Sequence, residues 1–93
     1  MKPLEFLGSS LDDLKAFPAE ARRAAGFELS FVQRGVEPSD RKPMKEVGTG
    51  VMELRVHVLG EWRVLDVAKF VRAVYVIHAF QKKTLRPDGK ILN

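Results

Sequence analysis

The stretch from Val51 to Thr84 constrains the fold more than any other part of this 93-residue chain. Between Val51 and Leu59, Met52, Leu54, Val56 and Val58 alternate with Glu53, Arg55 and His57. That is the period of two expected of a strand with one buried and one wet face. Gly60-Glu61 offers a tight turn, and Trp62–Phe70 reads as the return strand, rich in residues that suit a pleated surface. After a second turn at Val71-Arg72, Ala73–Phe80 is almost unbroken in apolar character, which predicts a strand buried on both faces. The run ends in Gln81-Lys82-Lys83-Thr84. Three consecutive antiparallel strands are expected.

The first half of the chain reads as support for that sheet. Lys2–Leu7, with a proline near its start, suits an edge strand. Ser10 with Asp13 three residues later predicts the N-cap of a short helix, Leu11–Phe17. Pro18 opens a second helix over Ala19–Arg34, with Ala21, Ala25, Phe27, Phe31 and Val32 as its buried stripe. Gly26 lies inside it, a position we expect to serve close packing, and Gly35 is placed to stop it. Val36–Gly50 holds two prolines and two glycines and reads as a long loop beside the sheet. Leu85–Asn93, with Pro87 and Asp88-Gly89, reads as a turn and a frayed end. The expected fold is a single α+β domain over 1–93: a strand and helical hairpin (1–35), a basic loop (36–50), a three-stranded antiparallel meander (51–84) and a short tail (85–93).

Composition narrows the function. Without cysteine there is no disulfide framework and no thiolate chemistry. No apolar run nears the roughly 18 residues of a membrane span and no signal-peptide pattern opens the chain, so a soluble, cytoplasmic protein without a membrane partner is expected. Charge is unevenly spread. Residues 1–40 hold five Lys/Arg against seven Asp/Glu, a balance of −2, and residues 41–93 hold eleven against five, a balance of +6. The sheet half is the basic half, which points to a polyanion or an acidic partner there.

The motifs KPMKEVGTGVMELRVHV, EWRVL and AVYVIHAFQKKT, in this order of elements, resemble the RelE/HigB toxins of bacterial type II toxin–antitoxin systems, most nearly the phage-derived HigB-like subgroup. The similarity covers roughly residues 3–84. It implies a microbial-ribonuclease-like α+β domain and a ribosome-dependent mRNA endoribonuclease that inhibits translation. It also implies a cognate antitoxin, often of helix-turn-helix type, with the ribosome and mRNA as the other partners and no cofactor. Two departures stand out. Relatives usually have Tyr where this chain has Asp66, and they usually continue past the Lys-Lys into a basic C-terminal helix.

Metal-independent cleavage by 2′-hydroxyl attack needs a proton acceptor, a proton donor and cations on the phosphorane-like transition state. Guanidinium suits the last task, since its planar fork pairs two phosphate oxygens. Arg55 and Arg63 fall on neighbouring strands across one turn, and the resemblance makes both active-site cations; the competing reading is a surface ion pair with Glu53 and Glu61. Lys82 matches the phosphate-binding cation of the HAFQKKT motif, and Lys42, Lys45 and Lys83 are candidate contacts to the RNA backbone. His57 shares the face of Arg55 and is the proton-transfer candidate. His78, between Ile77 and Ala79, is expected in the core, as are Trp62 and Phe80, the last with base stacking as the competing role. Two histidines without matching partners do not make a metal site. Asp66 falls on the core side of its strand, where a carboxylate must pair, protonate or distort the strand. Lys69 or a loop cation is one partner for it, but the favoured reading is that the residue marks a weakened or inactivated version, and it is given no catalytic role. The rival functions are therefore an inactive relative that binds an antitoxin and a ParE-like poison of DNA gyrase.

Overall fold

The computed structural model describes residues 1–85 and 90–92. Its elements are β1 (Leu4–Phe6), α1 (Ser10–Lys15), α2 (Ala19–Gln33), β2 (Arg41–Pro43), β3 (Val51–Val56), β4 (Trp62–Val67), β5 (Val74–Gln81), β6 (Thr84–Leu85) and β7 (Ile91–Leu92). The first five strands form one sheet in the order β1-β5-β4-β3-β2. Both helices pack on one face of it, α1 over β5 and α2 over β3. The α+β two-layer expectation holds. The sheet is mixed rather than purely antiparallel, because β1 pairs with β5 in parallel. β6 and β7 pair with each other, and the turn expected around Asp88-Gly89 lies outside the described residues.

The meander follows the alternation of its sequence. Leu54, Val56, Trp62, Val64, Val76 and Ala79 point under the helices and meet Leu14, Phe17, Ala21, Ala25 and Leu29 in one core. Trp62 stacks obliquely on Phe17 at 4.7 Å between ring centroids, and its indole N–H donates to the Val58 carbonyl at 2.8 Å. The first hairpin is longer than a tight Gly60-Glu61 turn. β3 ends at Val56, and five residues reach Trp62, with Leu59 (φ 56°) and Gly60 (φ 126°) both in the left-handed half of backbone space.

β5 departs from strict alternation. Leu65 pairs with His78 but Asp66 pairs with Val76, so Ile77 is an extra residue, a β-bulge. Parity reverses across it. Val74, Val76 and Ala79 therefore all face the helices, while His78 turns outward and is exposed. The expectation of a core histidine is overturned for this reason, and so is that of a strand buried on both faces.

Four other details differ. The loop 36–50 contains a strand, β2, which pairs with β3 through Arg41↔Leu54, Lys42↔Glu53 and Pro43↔Met52. The N-cap of α1 is Ser9, not Ser10; Ser10 is buried and its hydroxyl donates to the Val76 carbonyl at 3.0 Å. On α2 the buried stripe is Ala21, Ala25, Leu29 and Val32, while Phe27 is 61% exposed and leans edge-on against Phe31. The end of α2 is as expected. Gly35 (φ 70°) donates to the Val32 carbonyl and Val36 to that of Phe31, the paired bonds of a Schellman motif.

Gly26 does not serve close packing: a Cβ there would meet nothing within 4 Å, on the exposed side of α2. Gly26→Ala should therefore stabilise the fold by up to about 1 kcal/mol, the helix-interior difference between the two residues. Denaturant melts check this, and a lower midpoint would mean the position has a packing role after all.

Candidate functional site

The face of the sheet opposite the helices carries most of the cations picked out above. Register and alternation arrange it as a grid. Glu53, Leu65 and His78 form one row across β3, β4 and β5, and Arg55, Arg63 and Phe80 form the next. His57 and Glu61 follow at the hairpin, and the Lys82 N–H donates to the Glu61 carbonyl at 2.8 Å. Rows lie about 7 Å apart along the strands and columns about 4.8 Å apart across them.

Arg55 and Arg63 are thus direct cross-strand neighbours, as the hairpin predicted. Each also has an acidic partner. Arg55 Nε donates to Glu53 Oε1 at 2.9 Å, and Arg63 Nη1 donates to Glu61 Oε1 at 3.1 Å and to the Trp62 carbonyl at 3.0 Å. Glu53 and Arg63 are each only 5% exposed despite facing away from the helices. Arg63 Nε is buried without a hydrogen-bond partner, 3.8 Å from Glu53 Oε1. That inward-facing donor is held beside the Glu53 carboxylate as an ion pair just beyond hydrogen-bonding distance.

His57 is held from both sides. Its Nε2 lies 2.7 Å from Asp40 Oδ2, and its Nδ1 lies 2.8 Å from both oxygens of Glu61. Only the imidazolium satisfies both contacts as a donor. The hydrogen bonds to Glu61 and then Asp40 raise the His57 pKa above its ordinary 6.5. The same bonds to His57 lower Asp40 and Glu61 below 3.8 and 4.5. Asp40, Glu61 and Glu53 thus alternate with His57, Arg63 and Arg55 in a chain that is neutral while the imidazole is protonated.

This clamp has a pH window. The raised His57 contributes fully below about pH 6.5 and is lost as pH rises through its folded value. The lowered carboxylates contribute above about pH 4.5 and are lost as pH falls through theirs. All three groups are at least a third exposed, so the effect on stability is small. The titration itself should be clear: proton NMR is expected to place the His57 midpoint above 6.5 in the parent and lower in Glu61→Gln. Equal midpoints in the two proteins would remove Glu61 as the cause.

The lysines differ from this committed network. Lys82 and Lys83 are exposed at the end of β5 and Lys42 is exposed on β2 beside Glu53; none has an ion pair among the described residues. Lys45 is exposed in the turn after β2, beyond the end of that strand farther from the arginine pair. The structure therefore groups Arg55, Arg63, His57 and Lys82, sets Lys42 and Lys83 at the margin, and leaves Lys45 apart. Sequence reasoning missed Asp40, which sits next to β2 and was hidden in the supposed loop. It also missed the outward turn of His78, whose ring stacks on Phe80 at 5.0 Å. An open groove of about 660 Å³ near Lys2, Arg34 and Arg72 lies at the β1 side of the molecule, away from this face.

The partner of Asp66 is Arg41, a loop cation in the sequence reading and now on β2. Asp66 is fully buried on the helix side of the sheet, with Arg41 Nη2 at 2.5 Å and Nε at 3.4 Å. Burial pushes its carboxyl above the usual range and Arg41 pulls it partly back. The residue belongs to the packed face and has no contact with the arginine pair.

The family model described as phage-derived protein Gp49-like (DUF891) matches residues 12–91. The chain belongs to this family. Gp49-like proteins are known as toxins of toxin–antitoxin systems, commonly with ribonuclease activity, and membership implies a cognate antitoxin. No curated protein and no solved structure matches the chain. Among the described residues of this Gp49-like protein, no helix is long and apolar enough to cross a membrane. No group of three or more His, Asp or Glu side chains there is placed to hold a metal ion.

Proposed function

We propose that this Gp49-like protein is a RelE/HigB-type toxin, a metal-independent endoribonuclease that cuts mRNA on the ribosome and is neutralised by its antitoxin in the cytoplasm. The observation that carries the reading is the Arg55–Arg63 pair, side by side on the sheet face left open by the helices, in a family of toxins. Two guanidinium groups one strand apart suit the oxygens of a single phosphodiester as charge builds on them. Arg63 Nη2, which makes no hydrogen bond among the described residues, supplies one donor, and Lys82 adds a cation at the end of the neighbouring strand. Lys42, Lys45 and Lys83 would hold the RNA or ribosomal RNA backbone without reading its sequence. His57 serves proton transfer only once a carboxylate lets go of it; otherwise it holds Glu61 against Arg63.

A second reading has one observation in its favour: Glu53 and Glu61 already neutralise the two arginines. A chain whose cations stay committed would bind an antitoxin without cutting RNA. Induced expression in bacteria separates the two, with growth followed and 5′ ends mapped on translated messages. Growth arrest with new cuts inside reading frames supports the nuclease. Normal growth with intact messages, from soluble folded protein, leaves the inactive binder.

A further inference from the structure

Building on the nuclease reading above, we infer that His78, rather than His57, is the histidine that transfers a proton during cleavage, acting as the general acid. The two imidazoles occupy opposite situations. His57 has a carboxylate on each ring nitrogen, so neither nitrogen is open to a substrate. His78 is exposed, makes no hydrogen bond among the described residues, and is propped by the ring of Phe80, 27° from parallel. The bulge at Ile77 is what carries it to the face of the arginine pair.

Its position suits in-line chemistry. His78 and Glu53 end one row of the grid with Leu65 between them, and Arg63 stands beside Leu65 in the next position of β4 on that face. A phosphodiester beside Arg63 would therefore have the His78 imidazole on its β5 side and leave its β3 side to the attacking oxygen. Displacement needs this arrangement, because the attacking and leaving oxygens lie on opposite sides of phosphorus. The ribose 2′-oxygen attacks phosphorus and its proton passes to water, since Glu53 is nearly buried and held by Arg55. The bond from phosphorus to the 5′ oxygen breaks, and that oxygen takes the proton of the His78 imidazolium. The products are a 2′,3′-cyclic phosphate and a 5′-hydroxyl end. The charged groups on that face of the sheet among the described residues are Arg63 from β4, Glu53 and Arg55 from β3, Lys42 from β2, Glu5 from β1, and Lys82 just past the end of β5.

The test is single-turnover cleavage of a message on programmed ribosomes across pH 5.5–8.5, comparing the parent with His78→Gln, His78→Ala and His57→Gln. Circular dichroism confirms that each variant is folded. The expected result is a loss of about 100-fold or more in both His78 variants, the ordinary contribution of a general acid. The parent rate should also fall as pH rises, and that fall should vanish in His78→Gln while His57→Gln keeps it. Cleavage by His78→Gln at the parental rate and pH dependence would overturn the assignment and leave the nuclease reading standing. So would loss of the pH limb in His57→Gln alone. No cleavage by the parent, under conditions where the ribosomes are competent, would overturn both.

Discussion

Arg41→Met is expected to destabilise the fold by about 3–5 kcal/mol at neutral pH, the cost of leaving one member of a buried ion pair without the other. Asp66 is fully buried, whereas the Arg41 side chain keeps 13% of its surface in water, so the carboxylate is the member that cannot escape. Without the guanidinium, the Asp66 carboxyl, already above its ordinary 3.8 through burial, rises further. The folded chain then binds a proton that the unfolded chain releases, so stability is fully present below about pH 3.8 and falls as pH rises through the folded value. Denaturant melts of Arg41→Met should therefore give higher midpoints near pH 5 than at pH 7.5, relative to the parent. Adding Asp66→Leu should recover most of the loss, because an apolar pair removes the desolvation cost altogether. A double variant no better than the single one would show that the pair is needed for more than its own charge balance.

That pair also shows where the sequence stops being readable. The pattern of Trp62, Val64 and Asp66 on one face predicted a buried carboxylate that needed a partner, and this is what the structure has. It could not say which cation would answer, because Arg41 is 25 residues away in a segment that two prolines and two glycines made look irregular. β2 is only three residues long and ends on Pro43, at the sheet's outer edge where a missing N–H is tolerated. Nothing in its local pattern separates it from loop.

The candidate site divides in the same way. Arg55 opposite Arg63 follows from alternation on two strands joined by one short connection, and it was legible. The outward turn of His78 was not, since one extra residue in an unbroken apolar run reverses parity without any local mark. On α2, Phe27 was placed inside because it is apolar, yet the helical period set by Ala21 and Ala25 continues to Leu29. Periodicity decided that contest, and the large ring was left outside. The carboxylates that hold His57 and the two arginines come from three segments, and only their pairing in space makes the chain of charges.

Arg63→Lys is expected to lower ribosome-dependent cleavage by about 100–1,000-fold while the protein stays folded, the range seen when one donor to a developing oxyanion is removed. Lysine keeps the charge beside Glu53 and Glu61, so the electrostatic balance of the sheet face survives. What it loses is the planar fork, in which Nη1 is spent on Glu61 and the Trp62 carbonyl and Nε is buried against Glu53, leaving Nη2 for the phosphate. Arg63→Ala is the less informative change, because it strips the counter-charge from Glu61 and the nearly buried Glu53 and so mixes folding with chemistry. Primer-extension mapping of messages after induction, together with growth curves, reads the result. Parental cleavage by Arg63→Lys would make Arg63 a structural link between two carboxylates and remove it from the phosphate. Growth arrest that persists in both Arg55→Ala and Arg63→Lys, with DNA breaks that depend on gyrase, would move the target from RNA to the ParE-like alternative.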